Sequence, residues 1–345
     1  MKQFSYRHAK EAELMDSLDQ AARETSGGMQ KDVSQMSDEE LFSFAEFNAA
    51  EVERTGYSNY SYWRSTLQAF TKNRVAVILL IMLGLLLLFT FIQPYLPGQY
   101  DPNLIINDAN GMQYRNVPPG DQFILGTNSI GQDLWARIWA GTRTSLFIGL
   151  SVAIAEAIIG ITVGVIWGYV RKADFILTEI YNIIDNIPNT IILILISYIL
   201  KPSVKTLIFA MCLTGWIQMA RFIRNQILII RDRDYNVASR CLGTPTWRIM
   251  IKNLLPYLVS VIMLRMALTI PAAIGNEVFI TYIGLGLPVD IPSLGNLINE
   301  GRAMITSPAL RYQLVYPTII LSFVTISFYI IGNAFSDAAD PKNHV

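Results

Sequence analysis

Val75-Ala-Val-Ile-Leu-Leu-Ile-Met-Leu-Gly-Leu-Leu-Leu-Leu-Phe-Thr-Phe-Ile92 runs for 18 residues without a charge, interrupted only by Gly84 and Thr90. Crossing about 30 Å of hydrocarbon at 1.5 Å per residue takes roughly 20 apolar residues in a helix, because the bilayer core offers backbone groups no water. This stretch qualifies, and five more follow it. They are Ser145 to Tyr169, with Glu156 inside; Phe175 to Leu200, broken near Pro188; Leu207 to Ile229; Leu258 to Ile283, despite Arg265, Pro271 and Glu277; and Leu314 to Asn333. The expected fold is an all-α membrane protein with six transmembrane helices.

Composition agrees. Of 345 residues 52% are hydrophobic and only 16% charged, with a mean hydropathy of +0.35, whereas a soluble domain carries about 25% charge. The deficit is uneven: Met1 to Phe70 holds 7 Lys/Arg and 12 Asp/Glu with no long apolar run. With 27 basic and 27 acidic side chains and no basic tract, the footprint that phosphate-backbone binding requires is missing, and nucleic acid is not expected as a partner. Cys212 and Cys241 lack metal-ligand spacing, and His8 and His344 stand at opposite ends, which argues against a zinc site or a His-based triad. The first apolar run begins too late for a cleaved signal peptide, so it is expected to stay as an anchor.

Lys and Arg in short loops set orientation. With the leader inside, Lys72 and Arg74 precede the first span, Arg171 and Lys172 fill the next inside turn, and Arg231, Arg233, Arg240, Arg248 and Lys252 crowd the third. Lys201 and Lys205 in a short outside turn oppose this order. Both termini are expected to face the cytoplasm. The expected organisation is a polar cytoplasmic extension over 1–70, a first membrane helix over 71–96, an extracellular segment over 97–143, a five-helix transmembrane domain over 144–334 with an inside loop over 230–257, and a cytoplasmic tail over 335–345. The Pro- and Asn-rich outside stretch favours turns over long helices; it packs over the outer mouth or meets an external partner. The leader's mixed charge leaves a helical collar and disorder equally open.

The inside loop is too long for a turn and too patterned for a linker. Val237, Cys241 and Leu242 recur at helical spacing before Gly243, a candidate left-handed cap. Thr244 is positioned to N-cap a second helix with Pro245 at its first position, and Ile249, Met250, Leu254 and Leu255 give that helix an apolar stripe. An amphipathic hairpin lying on lipid has the same spacing. A knob continuous with the fourth and fifth spans is mechanically suited to transmit a push, and Trp247 can pack on a partner or into its own hairpin.

This loop resembles the "EAA" loop of ABC importer permeases, Glu-Ala-Ala, three residues, Gly, nine residues, Ile-x-Leu-Pro. Val237, Ala238 and Ser239 take the first three places, Gly243 the glycine, and Asn253, Leu255 and Pro256 the end. Val237 replaces the acidic residue, which removes a salt bridge to a motor from that place. Leu125-Gly-Thr-Asn-Ser-Ile-Gly-Gln-Asp through Arg137 to Gly141-Thr-Arg-Thr-Ser-Leu146 resembles the signature of the C-type subunit of oligopeptide, dipeptide and nickel permeases. Glu277 with Tyr282-Ile-Gly-Leu-Gly286, and Ile331 to Pro341, resemble that subunit's later motifs. The chain is similar to this family from the first span to the C-terminus, and the leader resembles longer N-termini of some Gram-positive members.

The resemblance implies a type I ABC importer transmembrane fold and a permease subunit forming half of the pathway of an ATP-driven oligopeptide importer in a bacterial plasma membrane. It implies a B-type permease partner, two cytoplasmic ATPases that hold ATP and Mg, and an extracellular substrate-binding lipoprotein, with membrane lipid around them. It further implies that Tyr235, Val237, Ala238, Ser239, Leu242, Gly243, Thr244, Trp247 and Pro256 form the ATPase-coupling loop. The residues themselves contain no Gly-x-x-x-x-Gly-Lys-Ser/Thr loop, so no cofactor is expected in this chain and no enzyme activity of its own. Charges within spans are costly in lipid; Glu156, Asp185, Arg265 and Glu277 are expected to face protein or water. Glu156 and Arg265 lie at depths that permit an ion pair, so structural pairing and solute contact both stay open. An ion-coupled secondary transporter using these carboxylates is the alternative class, and a non-peptide solute such as nickel the alternative cargo.

Overall fold

The computed structural model describes residues 62 to 339; the extension up to residue 61 and the tail from residue 340 lie outside the described residues. Within them the regular elements are helical, apart from two isolated antiparallel bridges, Asn107 with Gln113 and Thr127 with Asp133. Five helices are long and apolar enough to cross a membrane, and the number is six if one bent pair counts as a single crossing. The expected all-α membrane architecture holds, with five or six candidate spans.

α1 (Tyr62–Lys72) precedes the first span and packs Phe70 against Phe335 at the other end of the described chain, ring centroids 6.2 Å apart. The part of the leader that enters the structure is therefore helical. Asn73 N-caps α2 (Arg74–Ile92) by accepting from Ala76 N–H at 3.2 Å. This helix buries only Ala76, Leu83 and Thr90 and leaves Ile78, Leu80, Ile81, Leu85 and Leu88 exposed, as a lipid-facing span does.

α3 (Leu134–Tyr169) starts earlier than the expected Ser145, because Asp133 caps it, accepting from Ala136 N–H at 2.9 Å. Its first turns carry Trp, Arg, Gly and Thr in place of a solid apolar run, so hydropathy misses them. Below Ser145 the helix carries Gly160, Gly164 and Gly168 on one face against α6 (Val204–Ile230). A Cβ at Gly160 would stand 2.5 Å from Met219 Cβ, at Gly164 2.6 Å from the Ala220 carbonyl oxygen, and at Gly168 2.7 Å from Ile227 Cβ. Small residues four apart let helix backbones approach in lipid, where burial from water contributes nothing to association.

Between these helices the chain makes α4 (Arg171–Asp185) and α5 (Asn189–Ile199), bent by 75°. Pro188 ends the α-helical ladder there, which accounts for the expected break. α7 (Asp234–Cys241) lies in the long loop. α8 (Thr246–Arg248) runs through one π turn and one 3₁₀ turn into α9 (Val259–Tyr282), which continues unbroken past Pro271. α10 (Leu294–Arg302) and α11 (Tyr312–Ala339) complete the bundle. α3 lies along α6 and α9, and α9 along α11.

The 97–133 segment before α3 folds onto the ends of α3, α10 and α11. Two turns of one design carry it. Asp108 Oδ1 accepts from the N–H groups of Asn110 and Met112, and Asn128 Oδ1 accepts from Ile130 and Gln132, each turn closing through a left-handed glycine, Gly111 or Gly131. Tyr312 Oη donates toward the carbonyls of Val117 and Thr127 at 2.9 and 2.8 Å. The fully buried Arg137 guanidinium donates to Glu300 at 2.9 Å and to the Val289 carbonyl at 3.3 Å, tying α3 to α10.

Gly164→Val drives a side chain into backbone that cannot step aside, and is expected to destabilise the bundle by about 1–3 kcal/mol. Gly84→Val, where nothing lies within 4 Å, is expected to be near neutral. Thermal unfolding of the purified protein in detergent compares them; equal losses contradict the packing account.

Candidate functional site

The loop between α6 and α9 is built on an apolar base. Ile223, Ile227 and Ile230 at the end of α6 share one buried cluster with Ile249, Leu254 and Leu258. Asn236 is fully buried beside it, its Nδ2 donating to the Ile230 carbonyl at 2.9 Å, and Asn253 Nδ2 reaches both Asn236 Oδ1 and Ser239 Oγ at 3.3 Å. Arg231 Nη1 donates to the Gly168 carbonyl at 3.0 Å, fastening the loop to α3. Asp232 accepts from Arg240 and Arg231, each at 3.0 Å, and these bonds hold its carboxyl below the usual range.

Gly243 adopts φ +78°. Its N–H donates to the Arg240 carbonyl and Thr244 N–H to that of Ser239, both at 3.0 Å, the paired closure of a Schellman motif. The expected left-handed cap is present. Two other expectations are corrected. Thr244 caps nothing, because Pro245 itself is the N-cap, at φ −65° and ψ 144°. The second arm is no separate short helix but the start of the next span. Pro256 has no N–H and its ring crowds the preceding turn, and the ladder slips by one residue, Leu255 N–H reaching the Met250 carbonyl.

The loop's apolar residues divide by side. Ile249 and Leu254 are buried, while Tyr235, Val237, Trp247 and Ile251 face outward with Leu242, which is 86% exposed. Ala238 and Cys241 are exposed on the same helix, Ser239 is half-buried and donates to the Tyr235 carbonyl, and Pro256 is exposed. Trp247 therefore does not pack into its own hairpin.

The four intramembrane charges separate into two settings. Glu277 is fully buried; Ser145 Oγ donates to it at 2.9 Å and Thr281 Oγ1 at 3.3 Å, and the Ser293 hydroxyl and Gly295 N–H also donate. Its carboxylate sits at the N-terminus of α10, where the helix dipole favours negative charge. Leu294 N–H donates to Ser145 Oγ at 3.1 Å, closing the ring. Glu156 and Arg265 instead line one cavity of about 150 Å³ with Asn189, Gln218, Thr269 and Asn276. The two do not close to an ion pair among the described residues. Gly215 leaves room for the Glu156 carboxylate, since a Cβ there would overlap its Oε1.

Asp185 lies at the α4–α5 bend. Gln218 Nε2 donates to it at 2.7 Å, Tyr181 Oη donates as well, and Arg221 stands 3.7 Å away while stacking over the Tyr181 ring. Asp185, Asn189, Thr214 and Gln218 line a second cavity of about 180 Å³, which shares Asn189 and Gln218 with the first. The two cavities thus share polar walls between the bend and α9. Attention to formal charge alone misses Asn189, Gln218 and Asn276; amides inside apolar stretches are the signal that finds them.

Residues 160–345 match the family model described as the binding-protein-dependent transport system inner membrane component, and residues 61–119 match the N-terminal TM domain of oligopeptide transport permease C. The chain is 38% identical over 307 residues to the oligopeptide transport system permease protein AmiD of Streptococcus pneumoniae, covering 89% of this chain and 98% of that protein. It is 32% identical over 310 residues to the oligopeptide transport system permease protein OppC of Bacillus subtilis, covering 88% and 97%. It is 32% identical over 306 residues to the dipeptide transport system permease protein DppC of Bacillus subtilis, covering 88% and 93%.

Glu277→Ala orphans buried hydroxyls and a helix terminus and is expected to cost about 1–3 kcal/mol of stability. Glu156→Gln, in a cavity with room for water, is expected to change it by under about 0.5 kcal/mol. Thermal unfolding of the two variants side by side is the measurement, and similar losses contradict the division into structural and pathway charges.

Proposed function

The chain belongs to the family of binding-protein-dependent transport system inner membrane components, among its oligopeptide and dipeptide C-type permeases, and from that premise we propose that it forms half of the translocation pathway of an ATP-driven peptide importer. It is a multi-pass membrane protein and a transport subunit, not an enzyme. In such a system the other half is a B-type permease, two cytoplasmic ATPases bind ATP and Mg, and an extracellular lipoprotein delivers peptide. The basic residues at Lys72, Arg74, Arg171, Lys172 and the 230–257 loop support a cytoplasmic location for that loop and for both termini.

The observation that carries the coupling role is the exposed apolar face of the loop standing on a buried base. Tyr235, Val237, Leu242 and Trp247 offer a partner apolar contact, and Asn236, Ile249 and Leu254 anchor the same segment to the spans. A load on α7 passes through Arg231 to the Gly168 carbonyl on α3, and through Ile249 and Leu254 to the end of α6. ATPase closure thereby acts on the α3–α6 unit and on α9, whose faces hold Glu156, Gln218, Arg265 and Asn276. Alternating access needs two helix packings close in energy that partners can bias; the α4–α5 bend and Pro271 are the weak points in the bundle. Peptide, with its charged ends and amide backbone, suits a path that mixes Glu, Arg, Asn and Gln. The relatives named for oligopeptide and dipeptide transport favour peptide over nickel and over ion coupling.

Gly243 tests the coupling role directly. Nothing lies within 4 Å of a Cβ built there, so a substitution acts through φ alone, at about 1–2 kcal/mol for an ordinary side chain. A β-branched residue is the worst case and Asn the best tolerated. Gly243→Val is expected to abolish ATP-driven uptake while the chain still inserts in the membrane, and Gly243→Asn to retain most uptake. Wild-type uptake in Gly243→Val contradicts the assignment.

A further inference from the structure

A third cavity lies away from these two polar ones. It measures about 760 Å³, and its walls are Leu87 and Phe91 of α2, Phe147 and Leu150 of α3, Ile270 of α9 and Phe328 of α11, with Thr90, Arg143 and Thr144 among the remaining lining residues. Its size falls within the roughly 300–1,000 Å³ of small-molecule sites. Phe91, Phe147 and Leu150 are exposed, so the cavity opens outward from the bundle. Arg143 stands where α2 ends and α6 begins, two residues before the apolar run that starts at Ser145, and Leu150 lies about 10 Å further along that run at 1.5 Å per residue.

Arg143 is the one cation of this cavity. Nη1 donates to the Thr90 carbonyl at 2.5 Å. Among the described residues no carboxylate pairs with it and the bond to Thr90 is its one hydrogen bond, with the Tyr95 phenol as its electrostatic neighbour. An unpaired guanidinium at headgroup depth, above an apolar slot running toward the bilayer centre, has the charge and the polarity order of an inverted lipid. Guanidinium presents a planar fork that matches phosphate oxygens in pairs, and the surrounding bilayer supplies phosphate already joined to hydrocarbon. A partner helix would have to bring a carboxylate to that depth.

We propose that this cavity holds an acyl chain of a glycerophospholipid whose phosphate pairs with Arg143, so that a bound lipid fills the wedge between α2, α3, α9 and α11. The inference rests on the chain spanning a membrane and is independent of which solute is carried.

The test uses the assembled importer in nanodiscs of phosphatidylethanolamine and phosphatidylglycerol. Trace phosphatidylglycerol with a photoactivatable acyl chain is compared with diacylglycerol bearing the same chain, and adducts are mapped by mass spectrometry. Labelling of Phe147, Leu150 or Phe328 by the phospholipid probe is expected to exceed that by diacylglycerol about tenfold, the effect of one charge-assisted contact. Arg143→Gln is expected to bring phospholipid labelling down to the diacylglycerol level, and Arg143→Lys to keep much of it. Should Arg143→Gln fail to assemble, the two-probe comparison on the wild-type protein decides alone. Equal labelling by both probes, labelling no greater than at the outward-facing Ile319 and Tyr329, or capture of a partner subunit in place of lipid overturns the proposal.

Discussion

At Gly160, Gly164 and Gly168 α3 offers no side chain, and Met219, Ala220, Ile223 and Ile227 of α6 pack directly against its backbone; much of the molecule is arranged around that contact. Lipid tails are as apolar as leucine, so helices in a bilayer gain nothing by hiding from water, and close van der Waals packing has to hold them. The contact runs down to Gly168, whose carbonyl accepts from Arg231, the residue at which α6 gives way to the loop. The seam that stabilises the two spans is thus the seam to which the loop is fastened. In the proposed coupling role, force applied to the loop would reach both helices of that seam.

Around this seam the buried polar groups take two kinds of position. Glu277, with Ser145, Thr281 and Ser293, is enclosed and fully bonded, and it fixes α10 against α3 and α9. Arg137 and Glu300 pair beneath the 97–133 segment, although Arg137 Nε is left without a partner among the described residues. Glu156, Arg265, Gln218 and Asn189 instead line open space and leave bonding capacity unused. A buried group with every partner in place resists change, whereas a partly bonded group beside a cavity can exchange water for a passing solute. That contrast, more than charge, separates the enclosed polar groups of this chain from those that line its cavities.

Much of this was legible in the residues. Six apolar runs gave the spans because backbone satisfaction in lipid leaves a helix little alternative, and Gly243 gave the turn because few residues accept φ near +78°. The start of α3 was not legible, since Leu134 to Thr144 mixes Trp, Arg, Gly and Thr, and only the Asp133 cap marks it. Thr244 and Pro245 carried a capping pattern, but the helix starts one residue later, with Pro245 in the extended conformation of an N-cap. Ser145 and Glu277 were visible as separate motifs, but that they bond each other depends on the packing of α3 on α9, which no local pattern encodes. The glycine stripe was in plain view at a spacing of four; its partner on α6 was not.

The central claim is that the outward face of the loop receives work from an ATPase. The most direct measurement places a photocrosslinking amino acid at position 242, the most exposed apolar site on the loop, in the importer assembled in its native membrane. The account expects adducts with an ATPase subunit, with a yield that changes between nucleotide-free and ATP-bound states. Adducts with lipid alone, or a yield indifferent to nucleotide, would contradict it.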